Sequence, residues 1–129
     1  MTKEEYRILF ISLGCDTNRV DSEKMLGLLC DDGYRITDDE YEADIIIVNT
    51  CCFITDAKQE SIETILRLSE RKTDGKCRAL IAAGCMAQRY ADEIREMIPE
   101  VDAIIGTTAY DAIADAAETA LKGEKIRKL

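Results

Sequence analysis

Residues 43–51 read Ala-Asp-Ile-Ile-Ile-Val-Asn-Thr-Cys, and this stretch decides the fold. Four consecutive β-branched residues, Ile45 to Val48, favour a strand. They do not alternate with polar residues, so the strand is buried on both faces, as in a parallel sheet covered by helices. Working outward, Thr55 to Lys72 reads as a long helix with Ile62, Ile65, Leu66 and Ser69 along its inner side. Toward the N-terminus, Thr37-Asp-Asp-Glu40 has capping-box form and predicts one helical turn. Tyr34 to Ile36 is a short strand. Gly33 is the expected C-cap of a helix over Asp21 to Asp32, with Met25, Leu28 and Leu29 on one face.

The same alternation continues to both ends. Ile8-Leu-Phe-Ile11 is a first strand, and Ala79 to Ala83 another after the turn Thr73-Asp-Gly75. Met86, Tyr90, Ile94 and Met97 recur at helical spacing, so a helix runs to about Ile98, and Pro99 ends it. Val101 to Ile105 is the last expected strand. Thr108 caps a final helix, with Asp111 at its third position, ending near Gly123. The tail from Lys122 to Leu129 is polar and is expected to fray. Strands alternating with helices give an α/β domain. The expected architecture is a mainly parallel sheet of about five strands with helices on both faces, of the Rossmann or flavodoxin type. The strand order is not readable, and the link between the second and third strands is short for a parallel crossover.

Composition supports one domain over residues 1–129. The chain is 47% apolar and 33% charged, which suits a globular protein. A net charge of −9 argues against a nucleic-acid or anionic-membrane surface on this domain. The longest apolar stretch, Ala79 to Ala87, is nine residues, against about 20 for a membrane span. The N-terminus lacks a signal-peptide core. The expectation is a cytoplasmic protein with no membrane contact. Histidine is absent, which removes Ser-His-Asp and Cys-His catalysis and histidine-ligated metals. Six cysteines then stand out, because disulfides are rare in a reducing compartment.

Three of these cysteines follow the carboxyl end of an expected buried strand. They are Cys15, Cys51 and Cys85, and in an open parallel sheet those ends share the edge where ligands bind. Gly14 and Gly84 precede two of them and would let backbone approach a bulky ligand closely. Cys30 falls inside a helix and Cys77 at the opposite edge, and both read as ordinary buried or half-buried residues. Cys52 is at the right edge but adjacent to Cys51, so its side chain points elsewhere. Structural zinc prefers four ligands with short spacings, which are absent. Three thiolates suit a [4Fe–4S] cluster with one open iron. Placement alone also admits a redox thiol, or packing residues with no chemistry.

At these residues the sequence resembles a known family. Ser12-Leu-Gly-Cys15, Asn18-Arg-Val-Asp-Ser-Glu23, Ala43 to Cys51, Gly84-Cys-Met-Ala-Gln-Arg89, Pro99-Glu-Val-Asp102 and Gly106-Thr107 resemble the N-terminal domain of the radical-SAM methylthiotransferases. The likeness runs from about residue 6 to 122. It implies that Cys15, Cys51 and Cys85 hold an auxiliary [4Fe–4S] cluster whose open iron carries the sulfur for transfer. Asn18, Asn49 and Thr50 are then candidates to hydrogen-bond the cluster surroundings, with turn chemistry as the alternative. Asp21 is read as a helix N-cap rather than a catalytic acid.

Two branches of the family differ in substrate. Phe53-Ile54 and Ala57-Lys-Gln-Glu-Ser-Ile62 are similar to the branch that modifies an aspartate of a small-subunit ribosomal protein. The alternative branch modifies an adenosine of transfer RNA and tends toward Gly-Cys-Gln-Met-Asn at the first cysteine. Two positions depart from the ribosomal pattern: Asp16-Thr17 replaces the usual Pro-Lys, and Cys52 the usual Gly. The family continues into a radical-SAM domain, which binds a second [4Fe–4S] cluster and S-adenosylmethionine, and then a small β-barrel. Neither is in this sequence, so the chain is expected to be inactive alone and to partner the radical-SAM domain of the same polypeptide. The acid-rich run Asp38 to Asp44 is read as a solvated face. Two other classes remain: a nucleotide- or flavin-binding module, for which the glycine-rich loops are missing, and a non-catalytic interaction domain with incidental cysteines.

Overall fold

The computed structural model describes residues 6–12, 17–50, 55–106 and 112–128. In chain order the elements are β1 (Arg7–Ser12), α1 (Thr17–Asp31), β2 (Arg35–Ile36), β3 (Ile45–Thr50), α2 (Thr55–Ser69), α3 (Arg71–Asp74), β4 (Ala79–Gly84), α4 (Cys85–Arg89), α5 (Ala91–Met97), β5 (Ala103–Ile105), α6 (Ile113–Leu121) and β6 (Ile126–Lys128). Among the described residues six strands form one sheet in the order β2-β1-β3-β4-β5-β6, and every pairing is parallel. The α/β class and the parallel sheet agree with the sequence.

Ile45 to Val48 make β3 central because they bury both faces. Ile45 and Ile47 join a core with Met25 and Leu29 of α1 and Ile113, Ala116, Ala117 and Ala120 of α6. Ile46 and Val48 join the opposite core, with Ile65 and Leu68 of α2, Ala87 of α4, and Ala91 and Ile94 of α5. Burying one such isoleucine stabilises the fold by roughly 1.5–3 kcal/mol relative to exposure, so a polar residue anywhere in this run is excluded. The two cores are the strand's two-residue period made physical.

The short link between β2 and β3 has a simple geometry. Ile8 of β1 pairs with Ile36 on one side and Ile45 on the other. The carboxyl end of β2 therefore lies level with the start of β3, and residues 37–44 only step sideways past β1. Asp39 O accepts from Glu42 N at 3.2 Å and from Ala43 N at 3.1 Å, so the link does hold one helical turn, starting two residues after Thr37. Thr37 Oγ1 accepts from Asp39 N at 3.2 Å, and Asp39 Oδ1 accepts from Tyr41 N at 2.9 Å. The second of these is the bond an N-cap side chain makes, so Asp39 and not Thr37 caps the turn.

Other helix bounds also move. α1 begins at Thr17, a turn before Asp21, so Asp21 is inside the helix and not its cap. A polar first turn carries no apolar periodicity to mark it. The long second helix breaks at Glu70: Ser69 Oγ donates to Leu66 O at 2.6 Å, and Glu70 N bonds Arg67 O in a tightened turn. The break buries Arg71 against the Tyr41 ring, 4.3 Å from its centroid, and beside Glu40 and Asp74. Leu66, expected inside, is exposed, and Leu68 takes its place in the core. A second break at Tyr90 separates α4 from α5, so Met97 turns outward and Ile98 inward. Gly33 and Gly123 do end α1 and α6 with positive φ, of 107° and 84°. The expected cap Thr108 lies outside the described residues.

Two aspartates start strands in the same way. Asp44 N donates to Arg7 O at 2.8 Å, while its carboxylate accepts from Arg7 N at 2.9 Å. Asp102 N donates to Leu80 O at 2.8 Å, while its carboxylate accepts from Leu80 N at 3.0 Å. Each side chain completes one rung of the ladder just before β3 or β5 begins. Asp44 is thus buried and does not belong to the solvated acidic face; Asp38, Asp39 and Glu42 are exposed as expected.

The tail does not fray as expected. Lys125 Nζ donates to Pro99 O at 2.7 Å and pairs with Asp102 at 3.3 Å, and β6 then adds to the sheet edge beside β5. Three residues with two cations make an edge strand protected against further pairing, but leave no apolar run to read. α6 packs on the face of α1, although the step from β5 to β6 continues the direction of β3 to β4 to β5. The helices of those earlier steps pack on the other face, so β5–α6–β6 has the opposite hand. Crossovers are right-handed in about 98% of cases. Here covering Ala79, Ile81, Ala83, Ala103 and Ile105 with α6 outweighs the preference of a three-residue edge strand. Among the described residues, no helix is long and apolar enough to cross a membrane.

Candidate functional site

The strands that precede Cys15, Cys51 and Cys85 are β1, β3 and β4, and these are neighbours at the centre of the sheet. The sequence could not supply this order. Ser12 is level with Asn49, Asn49 with Ala83, and Thr50 with Gly84. The three strands therefore end at one height, separated by about 4.8 Å per strand. α1 and α2 leave β1 and β3 toward opposite faces, so the switch point of the topology lies between them. That crevice is where an open α/β sheet binds its ligand. Cys85 is the first residue of α4, directly after β4. Cys15, Cys51, Cys52 and Gly14 lie outside the described residues. Asn18 falls in the first turn of α1.

Asn49 and Thr50 are fully buried at this edge. Thr50 Oγ1 donates to Ala83 O at 2.6 Å and accepts from Ala87 N at 3.1 Å. Ala87 is the third residue of α4, the position whose amide an N-cap side chain normally takes. The N-cap residue here is Gly84, which has no side chain. It also cannot acquire one: φ is +102°, and a Cβ would lie 2.3 Å from Thr50 O and 2.8 Å from Asn49 Oδ1. The close approach that Gly84 permits here is to the neighbouring strand. Thr50 supplies the missing cap from that strand. Nothing in the sequence signals this bond except a Thr before one cysteine and a Gly before another.

The remaining described cysteines stand apart. Cys30 is exposed near the end of α1, not buried or half-buried as expected. Its place in the last turn falls outside the apolar stripe of Met25, Leu28 and Leu29. Cys77 is buried at the amino edge, donates to Ala79 O at 3.3 Å, and has its thiol pushed up to about 11 by burial. That edge also carries a cavity of about 590 Å³ lined by Arg7, Glu42, Asp44, Lys76 and Arg78. Its mixed charges and inert thiol offer no nucleophile. Among the described residues no three potential metal-ligating side chains gather, two of the three candidate ligands being outside them.

Comparison with known proteins follows the same lines. The chain is 60% identical over 92% of its length to ribosomal protein uS12 methylthiotransferase RimO of Lachnoclostridium phytofermentans, covering 27% of that protein. It is 54% identical over 98% of its length to the protein of that name from Desulforudis audaxviator, covering 28% of it. For the Geobacter sulfurreducens protein of that name, the values are 55%, 92% and 26%. The chain thus spans about a quarter of the length of these relatives. Residues 7–106 match the model of uncharacterized protein family UPF0004, and the chain belongs to that family.

Proposed function

We propose that this chain is the auxiliary-cluster domain of a methylthiotransferase that modifies an aspartate of ribosomal protein uS12. Cys15, Cys51 and Cys85 would hold a [4Fe–4S] cluster. The observation that carries this reading is the adjacency of β1, β3 and β4, whose carboxyl ends reach one height just before the three cysteines. The donor set fits the group: thiolates are soft ligands for iron–sulfur clusters, and the chain offers no histidine to compete. When bound, the cluster would supply an open iron and the sulfur for transfer.

The chain's own residues do the rest of the work. Parallel strands fix the three exits. Asn49 and Thr50 keep this edge packed, so that the end of β3 and the junction of β4 with α4 stay in register. The radical-SAM chemistry, with S-adenosylmethionine and a second cluster, belongs to a further domain of the same polypeptide. The relatives' names support the ribosomal substrate over transfer RNA. The net charge of −9 also suits a basic ribosomal protein better than a phosphate backbone.

Iron and acid-labile sulfide after anaerobic reconstitution test the reading. About four irons per chain are expected. They should be lost in each of Cys15→Ala, Cys51→Ala and Cys85→Ala, and kept in Cys30→Ala and Cys77→Ala. Iron retained by the first three variants, or none taken up by the folded chain and by the full-length enzyme alike, refutes it and leaves an interaction domain.

A further inference from the structure

We infer that Thr50 is the positioning residue that sets Cys51 and Cys85 relative to each other. The inference rests on the cluster reading above and deepens it. Thr50 is the last residue of β3 and immediately precedes Cys51. Its strand partner Gly84 immediately precedes Cys85. The two bonds of the Thr50 hydroxyl fall on either side of Cys85: Ala83 O lies two residues before it and Ala87 N two residues after. The turn from β4 into α4 is therefore pinned to the last residue of β3 by one side chain, next in sequence to one proposed ligand and around the other.

Gly84 cannot make these bonds itself. Gly84 has no side chain, and the space for one is taken by the Thr50 backbone and Asn49. Thr50 is fully buried, so water does not replace a lost hydroxyl there. Its hydroxyl is already committed as donor and acceptor within the protein. Thr50 thus acts on the cluster through the positions of the ligands, and not by bonding a cluster sulfur.

Thr50→Val keeps the branched shape and removes both bonds; Thr50→Ser keeps the hydroxyl. The measurement is the rate of iron loss from the reconstituted chain to a chelator, with the cluster's midpoint potential and paramagnetic spectrum. Removing a residue that orients ligands typically costs 10–100-fold in metal affinity. Thr50→Val should lose iron at least about 10-fold faster, with a shifted potential and a broadened spectrum, and Thr50→Ser should remain within about threefold of wild type. Thr50→Ala serves as the second variant if Thr50→Val does not fold. Wild-type behaviour of the hydroxyl-free variant overturns the inference, and so does equal damage from Thr50→Ser. Failure of both hydroxyl-free variants to fold overturns it too, because the hydroxyl then serves the whole domain. Absence of iron in the wild type is a different outcome, which removes the cluster reading itself.

Discussion

Asp102 allows a stability prediction worked from geometry. Its carboxylate is buried, with three partners: Leu80 N–H at 3.0 Å, Lys72 in a close ion pair, and Lys125 at 3.3 Å. Asp102→Ala removes all three. The Leu80 amide lies in a fully buried strand, and leaving it without an acceptor costs about 1–3 kcal/mol. The lysines fare better. Lys72 and Lys125 keep 21% and 45% of their side chains exposed, so both ammonium groups can turn to water. Losing those pairs costs about 1 kcal/mol in total. The expected loss is about 2–4 kcal/mol.

Unfolding entropy near 60 °C is about 2.1 cal/mol/K per residue, or roughly 0.27 kcal/mol/K for this length. The melting temperature should therefore fall by about 7–15 °C. Asp102→Asn retains an acceptor for Leu80 N–H and loses only charge, so its fall should be about 4 °C. Thermal unfolding of the chain by circular dichroism measures both. High salt should narrow the gap between wild type and Asp102→Asn, while leaving Asp102→Ala clearly lower. Equal melting of the two variants would refute the reasoning, since the ladder bond would then contribute less than the ion pairs.

Gly84, Gly27 and Cys77 carry further predictions. Gly84→Ala forces a Cβ to 2.3 Å from Thr50 O at φ +102°, and the Thr50 backbone, held in the sheet, cannot step aside. It should cost about 3 kcal/mol or more, whereas Gly27→Ala, in α1 with nothing within 4 Å, should gain about 0.5–1 kcal/mol; denaturant midpoints decide both. Burial raises the Cys77 thiol from 9.0 to about 11. The native state therefore holds its proton where the unfolded chain has released it. The corresponding stability is intact below pH 9 and is lost as pH climbs toward 11, by up to about 3 kcal/mol. Melts of wild type and Cys77→Ser across that range should converge at high pH. An alkylating agent at pH 8 should label Cys30 at once and Cys77 only on unfolding.

Strand identity was legible because burial on both faces demands an unbroken apolar run, as in Ile45 to Val48. The carboxyl-edge position of Cys85 followed from that. Helix ends were less legible, because polar first turns and side-chain bonds such as Ser69 to Leu66 O leave no periodic trace. The tail strand was invisible, since three residues with two cations present no apolar run, and Lys125 ties the chain down just before them. One overlooked signal does exist. Ala43-Asp-Ile-Ile-Ile47 and Val101-Asp-Ala-Ile-Ile105 share a small or branched residue, an aspartate and an apolar run. Both aspartates close a rung onto a neighbouring strand, Arg7 in one case and Leu80 in the other.

The spacing of the three cysteines gains its meaning only from the topology. Cys15 and Cys51 are 36 residues apart, and Cys51 and Cys85 are 34. An interval of that length is one strand-to-strand return in a parallel sheet, which brings the chain back to the edge it left. From β3 to β4 the return is made by α2 and α3 alone. From β1 to β3 it contains α1 and the two-residue strand β2 as well. The near-equal spacing therefore conceals two unlike paths. They converge because β2 is so short that its carboxyl end lies level with the amino end of β3. A longer β2 would carry the chain up the sheet, and residues 37–44 would then have to return its full height. The brevity of β2 is thus what lets β1 and β3 sit side by side with their helices on opposite faces, leaving a crevice over their carboxyl ends.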